Sequence, residues 1–375
     1  MANEIRVALV GVGVMGSKYA NMIVSGQVKN MVLSGVVARN PQAQEWARAL
    51  VGAKGQPSVY VDVTEMYEHA DEFDAVLIVT PHQTHEEIAV RAFELGKHVL
   101  CDKPAGVTIG QAERMTAASE KYNKVYGMIF HQRLYAKYLY IKKALERGEL
   151  GELKRMMVVN SRYFRTAHYH QSGSWRSSWN GEGGGALINQ GAHILDIWQW
   201  LFGMPEKLYA EIPFGKYNAF RVDDEATINM RYANGATGTF MLTTGEAIWQ
   251  ERLEIVGTKG RMLLEDDTLH IYRYSTDAVE YLATEPVNSR ENLTFTEEVI
   301  DFERAKEPYV EMLENFAEAV IKEDNSILIA PGAEGVNQLM LTNGAYFSAW
   351  KEAPVWLPLD AAEYEIALCE AKKKE

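Results

Sequence analysis

Residues 5–16 read IRVALVGVGVMG. The run IRVALV has the pattern of a strand buried in a parallel sheet, and GVGVMG bounds it. Gly11, Gly13 and Gly16 fall in the spacing G-x-G-x-x-G. Each glycine answers a separate need. Gly11 permits a tight turn, Gly13 lets the backbone approach a pyrophosphate, and Gly16 lets helix and strand pack closely. The start of the following helix, expected to run to about Ser25, favours an anion. The spacing alone is a weak signal. Here it follows a strand, opens a helix and begins a βαβ series, which is the context that dinucleotide binding requires. The competing reading is a glycine-rich turn that holds no ligand.

Further strands are expected at MVLSGVVA (31–38), FDAVLIV (73–79), KHVLC (97–101) and KVYGMIF (124–130). Thr84 to Glu87 has the form of a capping box, with Gly96 closing that helix, and Thr108 to Gln111 caps another. Strands alternating with helices imply a parallel α/β sheet. After about residue 130 the pattern changes. A helix near 134–147 is followed by KRMMVVNSRYF, a glycine-rich loop and an apolar helix at 186–202. Strands then dominate from 208 to 282. ATINMRY places Ala226, Ile228, Met230 and Tyr232 on one face, and Asn234-Gly235 predicts a type I′ hairpin turn. RLEIVGTKGRMLLE predicts a second hairpin around Gly257–Gly260, and helices return at 309–322 and 332–350. The expectation is an α/β domain over 1–130 and an α+β domain over 131–375 with a mostly antiparallel open sheet. The second domain is expected to bind substrate and to form oligomer contacts. Whether the C-terminal tail packs back on the first domain is left open.

Bulk properties narrow the function classes. A chain of 375 residues suggests two domains, and a net charge of -13 argues against a nucleic-acid partner. Lys372, Lys373 and Lys374 read as a solvated basic run. The two cysteines, Cys101 and Cys369, form no CxxC, which suits a reduced, cytoplasmic setting. The first residues do not resemble a signal peptide, and no run of about 18 apolar residues predicts a membrane span.

Three places carry candidate chemistry. At the end of the second strand, Val37-Ala38-Arg39-Asn40 lacks the carboxylate that would hold a ribose 2′-hydroxyl. Arg39 is suited to a 2′-phosphate or to stacking on adenine, or is a plain surface arginine. NADP(H) is favoured, with NAD(H) open. At the end of KHVLC stands Asp102-Lys103-Pro104. A lysine at the carboxyl edge of a parallel sheet sits where ligands bind, and its ammonium can donate to a substrate oxygen. The alternative is a turn lysine in water. On the apolar helix, His193 lies four residues after Asn189, so both share one face. Histidine accepts protons near neutral pH, although a lone histidine on such a helix is more often part of the core. Asp196, three residues on, is placed to orient it or to cap nearby structure. His168, His170 and His193 match no zinc spacing, so no metal is expected.

Four segments in order carry a resemblance. GVGVMG is the first. TPHQTHEEIAVRAFELGKHVLCDKP (80–104) is similar to T-P-x-x-x-H…G-K-H-V-x-x-E-K-P. EGGGALINQGAHILDIWQWLFGMP (182–205) is similar to G-G-G-x-L-x-D-x-G-x-H-x-x-D-x-x-x-W-L-x-G. VDDEATINMRYANGATGTF is similar to a strand segment of the same family's second domain. Together they resemble the Gfo/Idh/MocA oxidoreductases over nearly the whole chain.

The resemblance implies a Rossmann domain followed by an α+β domain, with the active site in the cleft between them and a dimeric or tetrameric assembly. Cofactor contacts are implied at Gly11, Gly13, Val14, Met15, Gly16, Ala38, Arg39, Asn40, Thr80, Pro81, His85, Asp102 and Lys103. Lys103, Asn189 and His193 are the expected catalytic group. Within 163–185, Tyr163, Tyr169, Trp175, Arg176 and Trp179 suit the wall of a sugar pocket, with Arg133 a further candidate. The alternative is an aromatic loop at a subunit contact. Two departures stand out. Asp102 replaces a glutamate, and Asn189 replaces an aspartate, so any scheme using that aspartate as acid or base is weakened.

The expected activity is NAD(P)-dependent oxidation of a secondary hydroxyl in a sugar, glycoside or cyclitol, or the reverse reduction. An acidic or phosphorylated substrate is disfavoured, since the loop offers only Arg165 and Arg176. Alternatives are a cofactor-retaining sugar oxidoreductase or redox-assisted glycoside-cleaving enzyme, a non-catalytic dinucleotide sensor, and a scaffold that no longer binds cofactor.

Overall fold

The computed structural model describes residues 4–173, 175–286, 288–303 and 307–375. The chain divides into two compact units. One holds residues 1–133 and 307–339, the other residues 134–306 and 340–375.

The first unit is built on six strands: β1 (Ile5–Val10), β2 (Met31–Val37), β3 (Ser58–Tyr60), β4 (Ala75–Ile78), β5 (His98–Cys101) and β6 (Tyr126–Met128). Their order is β3-β2-β1-β4-β5-β6, and every pairing is parallel. The strands are apolar because helices cover both faces. Val7, Leu9, Leu77 and Leu100 are all but fully enclosed. The order reverses between β1 and β4, the place where such sheets bind ligands beyond their carboxyl ends.

The segment that returns to this unit is not the C-terminal tail. It is 307–339, whose helix Pro308–Lys322 presents Leu313, Phe316, Ala317 and Val320 to the core that holds Ile5, Val7 and Leu9. These positions recur at i, i+3, i+4 and i+7, the apolar stripe of an amphipathic helix. The chain then runs beside β6, with Met128 N–H donating to Ala330 O and Gly332 N–H to Tyr126 O. The tail helix Ala361–Lys373 instead buries Tyr364 and Leu368 in the second unit, where Tyr364 stacks on Trp350.

Two caps behave as expected and one does not. Thr108 and Gln111 form the reciprocal capping box. Gly96, at φ 74°, ends the helix His85–Glu94 while Lys97 N–H donates back to Ala92 O. Thr84 does not cap that helix. A short 3-10 turn, His82–Thr84, leads into it, and the Thr84 hydroxyl donates to Thr80 Oγ1 at 2.7 Å instead.

Among the described residues the second unit holds nine strands: β7 (Leu153–Asn160), β8 (Lys207–Glu211), β9 (Glu225–Arg231), β10 (Thr237–Thr243), β11 (Glu251–Gly257), β12 (Gly260–Glu265), β13 (Thr268–Tyr274), β14 (Phe295–Asp301) and β15 (Val355–Trp356). The order is β14-β13-β12-β11-β7-β10-β9-β8-β15. Among these pairings only β7–β10 is parallel. The face carrying Ala226, Ile228 and Met230 is buried as expected. Trp198, on the helix Gly191–Phe202, lies against it: a Cβ on Gly238 would sit 2.5 Å from the indole. The β9–β10 turn differs from expectation. Gly235 N–H donates to Tyr232 O, and only Gly235, at φ 84°, is left-handed. That is a type I turn closed by a glycine. A type I′ turn would need Asn234 left-handed as well.

If the helix 308–322 belongs to the first unit's core, Phe316→Ala destabilises the protein by about 3–5 kcal/mol. Thermal unfolding reads this; a change within about 0.5 kcal/mol would remove the helix from that core.

Candidate active site

The first group of candidates gathers on the carboxyl edge of the parallel sheet. At the end of β1, Gly11 has φ 108°, and a Cβ there would lie 2.6 Å from the Val79 carbonyl oxygen. A Cβ on Gly16 would lie 1.9 Å from the Gly11 carbonyl oxygen, so strand and helix meet where no side chain fits. Gly13 differs: a Cβ there would meet nothing within 4 Å. It precedes the helix Val14–Val24, which has no side-chain cap and no acid in its first turn. Val14 is exposed and Met15 half-buried. The helix N–H groups therefore open onto an uncrowded, uncapped space of the kind that takes a pyrophosphate. The residues present fit a dinucleotide.

At the end of β2, Ala38 is buried and Arg39 is exposed, with no side-chain hydrogen bond or ion pair among the described residues. Asn40 has a structural duty: its Oδ1 accepts from Ala43 N–H at 2.8 Å and caps the helix Pro41–Arg48. At the end of β4, Thr80 is half-buried and Pro81 exposed. His85, expected among the cofactor contacts, is fully buried. Its ring nitrogens lie 2.8 Å from Thr80 O and 2.9 Å from Pro104 O, so it ties the loop after β4 to the loop after β5. Burial lowers its pKa, against the raising effect of the two carbonyls. At the end of β5, Lys103 is partly exposed and its N–H donates to Asp102 Oδ1 at 2.9 Å. Burial pushes the Asp102 carboxyl up to about 6, opposed by the Lys103 ammonium and N–H.

The second group lies in the second unit. Tyr163, Arg165, Tyr169, Arg176 and Trp175 form a ladder of alternating rings and guanidiniums. The carbon-to-centroid distances in that order are 5.3, 4.4, 4.6 and 4.6 Å. The Tyr169 hydroxyl accepts from Arg176 Nη1 at 2.8 Å and Gln190 Nε2 at 2.9 Å, and Asn189 Nδ2 lies 3.4 Å away. Asn189 ends the short helix Ala186–Asn189. Gln190 keeps helical dihedrals, so His193, half-buried in the next helix, retains its four-residue spacing from Asn189. Asp196 is buried and accepts from Gln199 Nε2 at 3.0 Å. His168 is exposed, and His170 Nδ1 lies 2.5 Å from Ser177 Oγ.

Two expected pocket residues are corrected. Trp179 is 3% exposed, enclosed by Phe214, Tyr346 and Trp350, with Nε1 donating to Arg221 O. It is core, because its indole has rings on several sides and its only polar atom is satisfied inside. Arg133 is fully buried, pairs with Glu334 at 2.6 Å and donates to Ile329 O, so it fastens the returning segment of the first unit.

Two residues escaped the sequence reading. Asp223 is buried; its carboxylate accepts from Gly185 N–H, Leu187 N–H and the Tyr346 hydroxyl, and so holds the start of the Asn189 helix. Burial raises its pKa, while these donors lower it. Glu182, also buried, accepts from Ser177 N–H at 2.7 Å and from Asn189 Nδ2. The only sequence signal was an acid directly before the triple glycine.

Because the Asp102 pKa is raised on folding, its ionisation costs stability. The cost is absent below the ordinary carboxylate value and complete above about 6. Asp102→Asn is therefore expected to raise the folding stability at pH 8, by on the order of 3 kcal/mol at most, seen as a higher Tm, with the gain vanishing towards pH 4. A gain that does not change with pH would contradict this.

Two family models match the chain. Residues 5–130 match the oxidoreductase family with an NAD-binding Rossmann fold, and residues 138–263 match the GFO/IDH/MocA C-terminal domain. Trans-1,2-dihydrobenzene-1,2-diol dehydrogenase of Bos taurus is 25% identical over 270 residues, 70% of this chain and 74% of that protein. D-glucoside 3-dehydrogenase of Escherichia coli (strain K12) is 27% identical over 260 residues, 67% of this chain and 70% of that one. The fold also matches the WlbA dehydrogenase of Chromobacterium violaceum, solved with NADH and UDP-GlcNAcA. The TM-score is 0.79 at 23% identity, covering 96% of this chain and 97% of that one. With the cofactor cradle intact and both domains matched in order, the chain belongs to the GFO/IDH/MocA family and is an NAD(P)-dependent oxidoreductase.

Proposed function

We propose that the protein oxidises a secondary hydroxyl of a sugar, glycoside or cyclitol, or reduces the corresponding ketone. The observation that carries this reading is the position of Lys103. It follows β5 on the carboxyl edge of the same sheet whose β1 ends in the Gly11–Gly16 cradle. When bound, the nicotinamide supplies the hydride acceptor in one direction and the donor in the other. The chain's own residues handle the oxygen and its proton. Lys103 Nζ donates to the reacting oxygen, the His193 imidazole takes the hydroxyl proton, and the Asn189 amide positions a neighbouring hydroxyl. The ring-and-guanidinium ladder from Tyr163 to Trp175 offers aromatic faces to sugar C–H groups and donors to hydroxyls. The names of the bovine diol dehydrogenase and the bacterial glucoside dehydrogenase support an alcohol of this class.

NADP(H) is the favoured cofactor, because the end of β2 offers exposed Arg39 and no carboxylate. A homodimer or homotetramer in the cytoplasm completes the proposal. No helix among the described residues is long and apolar enough to cross a membrane.

A panel of sugars, glycosides and cyclitols, each with NAD+ and NADP+, tests the reading by the absorbance of the reduced nicotinamide. Turnover is expected with at least one glycoside or cyclitol, and Lys103→Ala and His193→Ala should each lower kcat by about 10²–10⁴-fold. Retained turnover in the double variant would overturn the assigned roles. Arg39→Ala should weaken NADP(H) binding about tenfold and leave NAD(H) nearly unchanged, since it removes a charge-assisted contact made only to the 2′-phosphate. Fluorescence titration of the two reduced dinucleotides measures it.

A further inference from the structure

Asn189 is one of the two places where this chain departs from its family's motif, and its surroundings bear on the departure. The residue is 8% exposed and Glu182, beside it, is 2% exposed. The Asn189 amide nitrogen donates to Glu182 Oε1, and the other carboxylate oxygen accepts from Ser177 N–H at 2.7 Å. The Arg176 guanidinium stands 3.8 Å from Oε1 and supplies the countercharge that a buried carboxylate needs. A carboxylate only accepts hydrogen bonds. The nitrogen end of the Asn189 amide must therefore face Glu182, and the ambiguity of a side-chain amide is removed. An aspartate at 189 would set a second carboxylate in contact with the first, and two such groups cannot both ionise freely. Asparagine puts a hydrogen-bond donor there instead and leaves Glu182 as the one carboxylate of the pair.

We propose that Glu182 is a positioning residue for the reaction: its buried carboxylate orients the Asn189 amide and carries the negative charge that the family motif places at 189. The proposal rests on the dehydrogenase reading for its catalytic consequence, while the pairing itself does not. Through Arg176 and the Tyr169 hydroxyl, the same carboxylate is linked to the aromatic ladder, so its charge also helps hold the proposed sugar wall.

The test is a cycle of Glu182→Gln, Asn189→Asp and the double variant, in the full-length protein, with NADPH or NADH fluorescence as the check that the cofactor domain is folded. Glu182→Gln should lower kcat by about 10²-fold, because a misoriented group near the reacting centre costs about that much. Asn189→Asp alone should add to the pH profile of kcat an ionisation that the parent lacks. The double variant restores a carboxylate–amide pair with the partners exchanged, and should recover kcat to within about tenfold of the parent. Parent-like kcat and pH profile in Glu182→Gln, or a double variant no better than either single one, would overturn the proposal. If no substrate is turned over, the dehydrogenase reading fails separately. The pairing is then read in Tm: the loss in Asn189→Asp should be relieved by Glu182→Gln, and additive losses would overturn it.

Discussion

Strand β1 meets its helix at a distance that excludes side chains. The Gly11 carbonyl lies where a Cβ of Gly16 would be, and Gly11 itself is pressed against Val79 in the left-handed region. Three consequences follow from that contact. The helix begins immediately beyond the strand, so its free N–H groups stand at the carboxyl edge of the sheet. No described residue comes within 4 Å of where a Cβ of Gly13 would be. And β4, held in register with β1, delivers Thr80 to the same edge. His85 extends the arrangement sideways by bridging Thr80 O and Pro104 O, which places the loop of Lys103 relative to the loop of Thr80. A lysine with no intrinsic feature to distinguish it from a surface lysine thus acquires a defined place.

The second unit uses buried carboxylates in a comparable way. Asp223 gathers two backbone N–H groups and a tyrosine hydroxyl at the start of the short helix, and Glu182 fixes the amide at its end. Each is an acid in a poor solvent for charge, tolerable because its oxygens are met by several donors. The helix that carries Asn189 and precedes His193 is thereby held at its start by long-range contacts from Asp223 and at its end by Glu182, seven residues away, rather than by its own propensity, which four residues could not supply.

Legibility in the sequence followed the range of the interaction. The parallel sheet was readable because burial on both faces writes itself as continuous apolar runs, and the cradle because the glycine spacing has a local cause. The Thr108 box was local too, and was legible. Thr84 had the same local pattern, yet its hydroxyl found Thr80 and the cap was lost. Asn234-Gly235 suggested one turn type, and the spacing between β9 and β10 selected another. Trp179 and Arg133 were misplaced for a similar reason: both have the chemistry of a pocket, but rings and an acid from distant segments claim them. The helix 308–322 was foreseen as a helix, while its destination in the first unit depends on a match of apolar faces that no local pattern records. Glu182 stood in plain view, and only its contact with Asn189 gives it meaning.

The most direct measurement of the central claim is a crystal structure of the protein with NADP+ or NAD+. The pyrophosphate oxygens are expected within about 3 Å of the N–H groups at the start of the helix Val14–Val24, with the nicotinamide on the side of the sheet edge that carries Lys103. A dinucleotide bound away from Gly13, or a nicotinamide turned away from the Lys103 ammonium, would contradict the assignment of this edge as the reaction centre.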